Sequence, residues 1–493
     1  MGRGTTSSRR PLRWIAGFLC VVLVAAGAVA WQLGYAEQWW ERWRGEDPAA
    51  TPAEVEPPPA VEVPDVTTPR SVGRPAIARG TVDVDVVDEI LDDYFADPDV
   101  GPHALAAVAP LRGDLPGHER VRGGARAVPA STTKVVTSAV ALRLLGGDHR
   151  FTTRTVLEPG GGAPRVVLVG GGDPYLSAAR YRPDRSATFD FGRQSVAKLA
   201  RRTAAELVER GVTRIRLAHD ASLFAGPGGH PTWREDPRLE VGGYLEDGVI
   251  APISALWMDQ GAVRNGSGRE SDPPAAATQF LAEQLRERGI DVRLVGSATA
   301  GADAQDLVAL RSAPLSDIVH RLLEVSDNAA AEVLLRHIGL AAEGEGSFAA
   351  GERGVRRTLA NAGIRMGDSV LHDGSGLSRD SRVTPALLID VIRWLADPAR
   401  PELRQVLTSL PVAGFTGSLR DRLSEAPPVG LGRVRAKTGT LTGVSSLAGI
   451  VQDRDGRVMA FVLMADRIPE DEDLAARQAQ DAAAAALGGC RCG

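Results

Sequence analysis

The sequence predicts an α+β fold: one sheet closed by distant parts of the chain around a helical middle, interrupted by a large inserted region. Three observations predict it. Strand-like segments stand at both ends of the body, at 105–110 and 125–129 and again at 446–451 and 458–464. An apolar stripe of helical period lies between them, at Val135, Ala139, Leu142 and Leu145. The stretch 151–310 mixes further strand-like and helix-like segments at high Gly and Pro content, which reads as an insertion.

The elements follow in chain order. Arg3, Arg9, Arg10 and Arg13 precede an uncharged run at 14–30. Such a run is a signal peptide or a membrane-spanning helix. It is long for the apolar region of a signal peptide, and Trp31, Tyr35, Trp39 and Trp40 follow like an interfacial belt, which favours a single-pass anchor over 14–34 behind a basic cytoplasmic tail at 1–13. The positive-inside rule then puts the body outside the cytoplasm, in the cell envelope. Residues 35–90 are a linker whose Pro- and acid-rich centre, 46–75, cannot bury enough apolar surface to fold and reads as a semi-rigid spacer.

In the body, the two strands at 105–110 and 125–129 flank a Gly/Asp-rich turn, and a helix over 131–145 ends at Gly146-Gly147. The insertion carries strands at 165–169 and 292–295 and helices at 196–210 and 276–288. Near the end, Asp455-Gly456 marks a hairpin between the last two strands, and an Ala-rich helix covers 474–487. Residues 488–493 are expected to be a disordered tail.

Composition excludes several classes. At 493 residues the chain suits about three domains. With 57 Lys+Arg against 62 Asp+Glu it has no overall electrostatic footprint for nucleic acid. The three cysteines are Cys20, Cys490 and Cys492, so the body has no disulfide framework, no Cys-bound zinc and no cysteine nucleophile. The eight histidines show no H-E-x-x-H spacing, and G-x-S-x-G is absent, which argues against a metallopeptidase or an α/β-hydrolase.

Three polar motifs carry the chemistry. In Ser131-Thr132-Thr133-Lys134 the lysine stands one helical turn after the serine, on the same face. A serine hydroxyl needs a neighbouring base, and lysine serves only if burial or a nearby cation lowers its pKa. Lys437 is the expected second cation. Ser326-Asp327-Asn328 sits between two helix-like segments, where Ser326 can relay a proton and Asn328 can bind a substrate amide. Lys437-Thr438-Gly439-Thr440 precedes the last two strands, on an edge where a cation and hydroxyl can hold a carboxylate. Gly439 permits close backbone approach there. The N–H groups of Ser131 and Thr440 are the expected oxyanion donors.

Together the motifs resemble the penicillin-binding proteins and class A β-lactamases. Ser131 and Ser326 are 195 residues apart, and Ser326 and Lys437 111 apart. That long first interval is similar to the class C low-molecular-mass penicillin-binding proteins, the D-alanyl-D-alanine carboxypeptidase/endopeptidase family. PASTTK at 129–134, GGGDPYL at 170–176, DGSGLSR at 373–379, LPVAGFTGSL at 410–419 and RAKTGTLTGVSSLAG at 435–449 carry the same resemblance. It implies a β-lactamase/transpeptidase-like domain over 91–150 and 311–487, an antiparallel sheet flanked by helices, with 151–310 inserted. It further implies a serine DD-peptidase acting on peptidoglycan stem peptides ending in D-Ala-D-Ala, acylated by β-lactams on Ser131, with no cofactor or metal. A β-lactamase, a non-catalytic wall-binding protein, or an esterase or amidase of the same fold are the other readings. The long insertion argues against the first, and the joint presence of the motif residues against the second.

Overall fold

The computed structural model describes residues 82–492 apart from 113–118, 160–161, 180–188, 190, 234–242, 265 and 424–427. All belong to one compact unit, Pro75–Gly493. The basic tail, the apolar run and the Pro-rich spacer lie outside the described residues. Among the described residues no helix is long and apolar enough to cross a membrane.

Helix α1, Val84–Ala96, starts inside the stretch expected to be linker. Its N-cap Asp83 accepts from the N–H groups of Asp85 and Val86, and Val87, Leu91 and Tyr94 are buried at helical spacing. Ordered structure therefore begins before residue 90. Strands β1 (His103–Pro110) and β2 (Arg120–Gly123) come next. Residues 125–129, expected as a strand, form no ladder beyond one bridge from Ala127 to Val383. The second strand is instead β2, an edge strand of alternating exposure paired with β1.

A one-turn 3₁₀ helix, Ala130–Thr132, leads into α2, Thr133–Leu145. Every residue from Thr133 to Leu142 is buried, so α2 runs through the core rather than along its surface. The expected stripe was only part of a helix covered all round.

The inserted stretch builds its own sheet from β3 (Thr152–Glu158), β4 (Arg165–Val169), β5 (Arg214–Asp220), β6 (Asp291–Ser297) and β7 (Gln305–Arg311), in the order β6-β5-β4-β3-β7. Helix α3, Val196–Glu209, connects β4 to β5, and α4, Pro273–Arg286, lies in the connection from β5 to β6. Both pairs are parallel, as such crossovers require. Leu199, Leu207, Ile215, Leu217, Leu281 and Leu285 form the core of this sheet and its helices.

The chain then returns through α5 (Leu315–Val325), α6 (Asn328–Glu343), α7 (Phe348–Asn361), α8 (Pro385–Leu395) and the short α9 (Arg404–Thr408). It closes the first sheet with β8 (Val434–Leu441), β9 (Val444–Gln452) and β10 (Val458–Asp466), followed by α10 (Asp473–Gly489). The order β2-β1-β10-β9-β8 is antiparallel throughout and joins the two ends of the body, with His103 opposite Asp466.

Side-chain alternation explains why β10 reads as an unbroken apolar run. Ala460, Val462 and Met464 face the helical core with α2, α6 and α8, whereas Met459, Phe461, Leu463 and Ala465 face α1 and α10. Burying a side chain such as Phe461 contributes roughly 2 kcal/mol. The β9–β10 turn contains Gly456 at φ 83, a conformation that favours glycine, and Asp453 accepts from the N–H groups of Asp455 and Arg457.

Residues 488–492 are ordered, contrary to expectation. Cys490 and Cys492 are disulfide-bonded and Cys492 is buried. The Cys492 carbonyl accepts from Asp83 N–H at 2.6 Å and the Cys490 carbonyl from Arg454 N–H at 3.0 Å, so the last residues tie α1 to the β9–β10 turn.

Candidate active site

Ser131 lies in the 3₁₀ turn ahead of α2, held there by an unusual backbone: Ala130 has φ 46, in the left-handed region. Two glycines make room for that turn. A Cβ on Gly376 would come within 1.8 Å of the Ala130 carbonyl oxygen. One on Gly439 would lie 2.1 Å from Ser446 Oγ, 2.7 Å from the Pro129 carbonyl oxygen and 3.1 Å from Ser131 N. Ser446 Oγ in turn donates to Pro129 O at 2.6 Å, so β9 and β8 both press on the turn.

Lys134 is fully buried, and its three donors are all used. Nζ donates to Ser131 Oγ, Asn328 Oδ1 and the Ser375 carbonyl, each at 2.7 Å. Burial lowers its pKa to about 8, against the opposing pull of Glu332, Asp373 and Asp327. Burial is the main cause at Lys134, and the expected repulsion between the two amines falls on Lys437. Lys437 is itself pushed well below its ordinary value, first by burial and then by Lys134 and Arg422.

Lys437 lies on β8, completely buried, its Nζ donating to the Thr438 carbonyl at 2.7 Å. Thr438 Oγ1 is 2.8 Å from Ser418 Oγ. On this edge of β8, Val434 O accepts from Ala413 N and Ala436 N donates to Pro411 O. The alternation of an extended strand then points the Thr440 N–H to the same side, away from β9. Thr440 itself is exposed.

Ser326 and Asn328 straddle the junction of α5 and α6. Ser326 caps α5 at φ 60, and Asp327 caps α6 by accepting from Ala330 N. Asn328 is thereby the first residue of α6, with Oδ1 on Lys134. The Ser326 hydroxyl is half-buried and makes no hydrogen bond among the described residues. Lys134 thus touches both Ser131 and Asn328, Gly439 packs on the Ser131 turn, and Lys437 shares the electrostatic environment of Lys134.

Sequence reasoning missed the carboxylates beneath the site. Glu332 is completely buried on α6, one turn after Asn328, and accepts from Ser375 N at 2.7 Å and Gly374 N at 3.0 Å. Burial, with Asp373 nearby, pushes its pKa up to about 8. Asp373 accepts from Gly376 N, Ser378 N and Trp233 Nε1, which shapes the loop carrying the Ser375 carbonyl. One signal was available: Glu332 is the sole charge in an otherwise apolar NAAAEVLL run, at i+4 from Asn328.

This arrangement can perform acyl transfer: an accessible hydroxyl on a buried amine of lowered pKa, beside a strand edge whose backbone pairing with 411–413 stops at Ala436. Comparison with known proteins agrees. The model of the D-Ala-D-Ala carboxypeptidase 3 (S13) family matches residues 87–270 and 263–487. A carboxypeptidase of Mycobacterium tuberculosis is 35% identical over 458 residues, 90% of each chain. Carboxypeptidase DacB of Mycolicibacterium smegmatis is 36% identical over 370 residues, 74% of this chain and 76% of that protein. Penicillin-binding protein 4 of Haemophilus influenzae superposes with a TM-score of 0.63 at 21% identity over 80% of this chain and 98% of its own, which shows a shared fold. The chain accordingly belongs to the D-Ala-D-Ala carboxypeptidase 3 (S13) family and is a serine-type D-Ala-D-Ala carboxypeptidase.

Proposed function

We propose that Ser131 is the nucleophile of this carboxypeptidase and Lys134 its general base. The observation that carries the assignment is the 2.7 Å contact between Lys134 Nζ and Ser131 Oγ, with the amine buried and its pKa lowered to about 8. Ser131 Oγ attacks the carbonyl carbon of the penultimate D-Ala while its proton passes to Lys134. The N–H groups of Ser131 and Thr440 hold the oxyanion. The C–N bond then breaks as the proton held by Lys134 is relayed through the Ser326 hydroxyl to the departing D-Ala amine, and the acyl group stays on Ser131 until water releases it. In endopeptidase action the departing amine is that of a cross-bridge. Asn328 keeps its amide N–H groups for the substrate, since Oδ1 is engaged by Lys134. The Thr438 hydroxyl, with Gly439 allowing close approach, steadies the substrate's negative end, and Lys437, completely buried with Nζ on the Thr438 carbonyl, supports that position from beneath the strand.

In this reading β-lactams acylate the same serine. The Haemophilus penicillin-binding protein 4 has been solved in complex with a β-lactam. Residues 91–150 and 311–487 form the catalytic domain and 151–310 the insert. The test is incubation of the purified chain with a labelled penicillin beside S131A. One adduct is expected on the peptide containing Ser131 and none in the variant; a label that persists in S131A overturns the assignment. Slow release of the adduct separates this reading from a β-lactamase, for which nitrocefin would turn over many times per second.

Peptidoglycan lies outside the cytoplasm, and so does the work of the family. Residues 14–34 are the proposed membrane anchor, supported by the uncharged run, its basic flank and the aromatic residues that follow. An intact N-terminus on membrane-bound protein after an alkaline wash is the expected result; a chain beginning after Ala30 refutes it.

A further inference from the structure

We propose that His230, Glu352 and His372 form a binding site for one divalent transition-metal ion, with zinc the best match. The three come from separate parts of the chain. His230 lies in the segment after β5, Glu352 on α7, and His372 immediately before Asp373 of the loop whose Ser375 carbonyl holds Lys134. One ligand atom from each lies within 4.8 Å of the others. Three atoms that far apart lie within about 2.8 Å of their common centre, so drawing the side chains in by up to about 0.8 Å reaches the 2.0–2.2 Å of Zn–N and Zn–O bonds. Two imidazoles and one carboxylate suit zinc and its first-row neighbours, whereas calcium and magnesium take oxygen ligands.

The surroundings are those of a metal ligand set. His230 Nε2 is 2.9 Å from Glu352 Oε1, and Nδ1 is 2.7 Å from Thr232 Oγ1, which donates to Ser378 Oγ at 2.6 Å. A proton on Nδ1 runs into that hydroxyl chain and leaves the Nε2 lone pair aimed at the Glu352 carboxylate, the outer-shell arrangement that orients metal-bound histidines. The Thr232 N–H lies 3.1 Å from the same Nδ1 and suits the other tautomer, in which Nε2–H donates to Glu352. Ion binding at Nε2 shifts the ring from the second form to the first. Phe348 packs edge-on against the His230 ring at 5.0 Å and holds its plane.

A His–Glu pair alone needs one imidazole. Here a second stands 5.9 Å away, centroid to centroid, and neither ring nitrogen of His372 makes a hydrogen bond among the described residues. The His230 side chain is 7% exposed and that of Glu352 24%, so the site is sheltered yet open to an ion and a water as fourth ligand. A bound ion would join the segment after β5, helix α7 and the loop that positions Lys134.

The test is titration of the metal-stripped full chain with cobalt(II), then zinc(II). One cobalt per chain with the intense visible bands of four-coordinate geometry is expected, bleached by one equivalent of zinc. H372A and E352A should each lose the bands and bind at least about tenfold more weakly, while still forming the labelled penicillin adduct. An anomalous difference map of zinc-soaked wild-type crystals should show a peak between the three side chains, which keeps the proposal testable where a variant fails to fold. A pale octahedral spectrum, binding beyond one equivalent only, bands that survive H372A, or a peak elsewhere would each overturn it.

Discussion

Lys134 and Glu332 hold the two backbone polar groups of one residue, Ser375: Glu332 Oε1 accepts its N–H at 2.7 Å and Lys134 Nζ donates to its carbonyl at 2.7 Å. The amine and the carboxyl group are thereby kept near each other without touching, so Glu332 favours the protonated amine through space and positions it through Ser375. E332Q removes the charge and keeps most of the shape. The acylation–pH profile should move to lower pH, most clearly around and above pH 8 where Glu332 itself ionises, because the carboxylate that then retains the Lys134 proton is gone. E332A should also lose stability, by about 1–3 kcal/mol for each buried N–H left without a partner. An E332Q profile identical to that of the parent enzyme would remove the electrostatic part of this account.

Lys134 sets a second pH dependence. Its pKa is lowered to about 8, so the neutral amine is the minor form below that value and grows tenfold per pH unit towards it. Acylation by a labelled penicillin should therefore rise with pH and level off above about 8. K134R should be slower by about 10²–10⁴-fold at every pH, since a guanidinium cannot surrender its proton. Stopped-flow acylation from pH 5 to 10 checks both, and a rate independent of pH in the parent enzyme rejects Lys134 as the base.

Gly439 is a steric requirement rather than a flexible point. G439A would drive a methyl group into Ser446 Oγ and the Pro129 carbonyl, at 2.1 and 2.7 Å, and both belong to the support of the Ser131 turn. Overpacking of this kind costs roughly 1–3 kcal/mol. Acylation should fall more than thermal stability does, because the displaced atoms carry the nucleophile. S446G in the same chain relieves only the side-chain contact, so partial recovery is expected.

Much of the site is written in local spacing. Ser131 and Lys134 are one helical turn apart, and a turn is all that the hydrogen bond between them needs. The Asp455-Gly456 turn and the Ala-rich α10 are local in the same sense. Contacts across long sequence distances were less visible. Glu332 gains its role from Ser375, and the lowered pKa of Lys134 comes from a core assembled from both ends of the chain. His230, Glu352 and His372 have no common spacing to detect. Residues 125–129 have strand-like composition, but their backbone meets the Ser131 turn and Val383 instead of a second strand. The last residues read as a tail because nothing local says that Asp83 N–H waits for Cys492 O.

His337 offers an acid-stability test away from the chemistry. It is buried on α6, stacked on Phe151 at 4.1 Å, with Nε2 donating to the Gly172 carbonyl at 3.0 Å. Burial lowers its pKa from 6.5 to about 4. The unfolded chain therefore takes up a proton as the pH falls below 6.5, while the folded protein resists until about 4, so stability is present above 6.5 and drains away between the two values. The loss amounts to about 3 kcal/mol at the acid end. H337Q keeps an N–H donor for Gly172 but does not titrate. It should be less stable than the parent at pH 7.5, through lost packing on Phe151, yet lose less stability between pH 6.5 and 4. Urea unfolding at both pH values measures this directly, and an acid loss as steep in H337Q as in the parent would assign the effect to other groups.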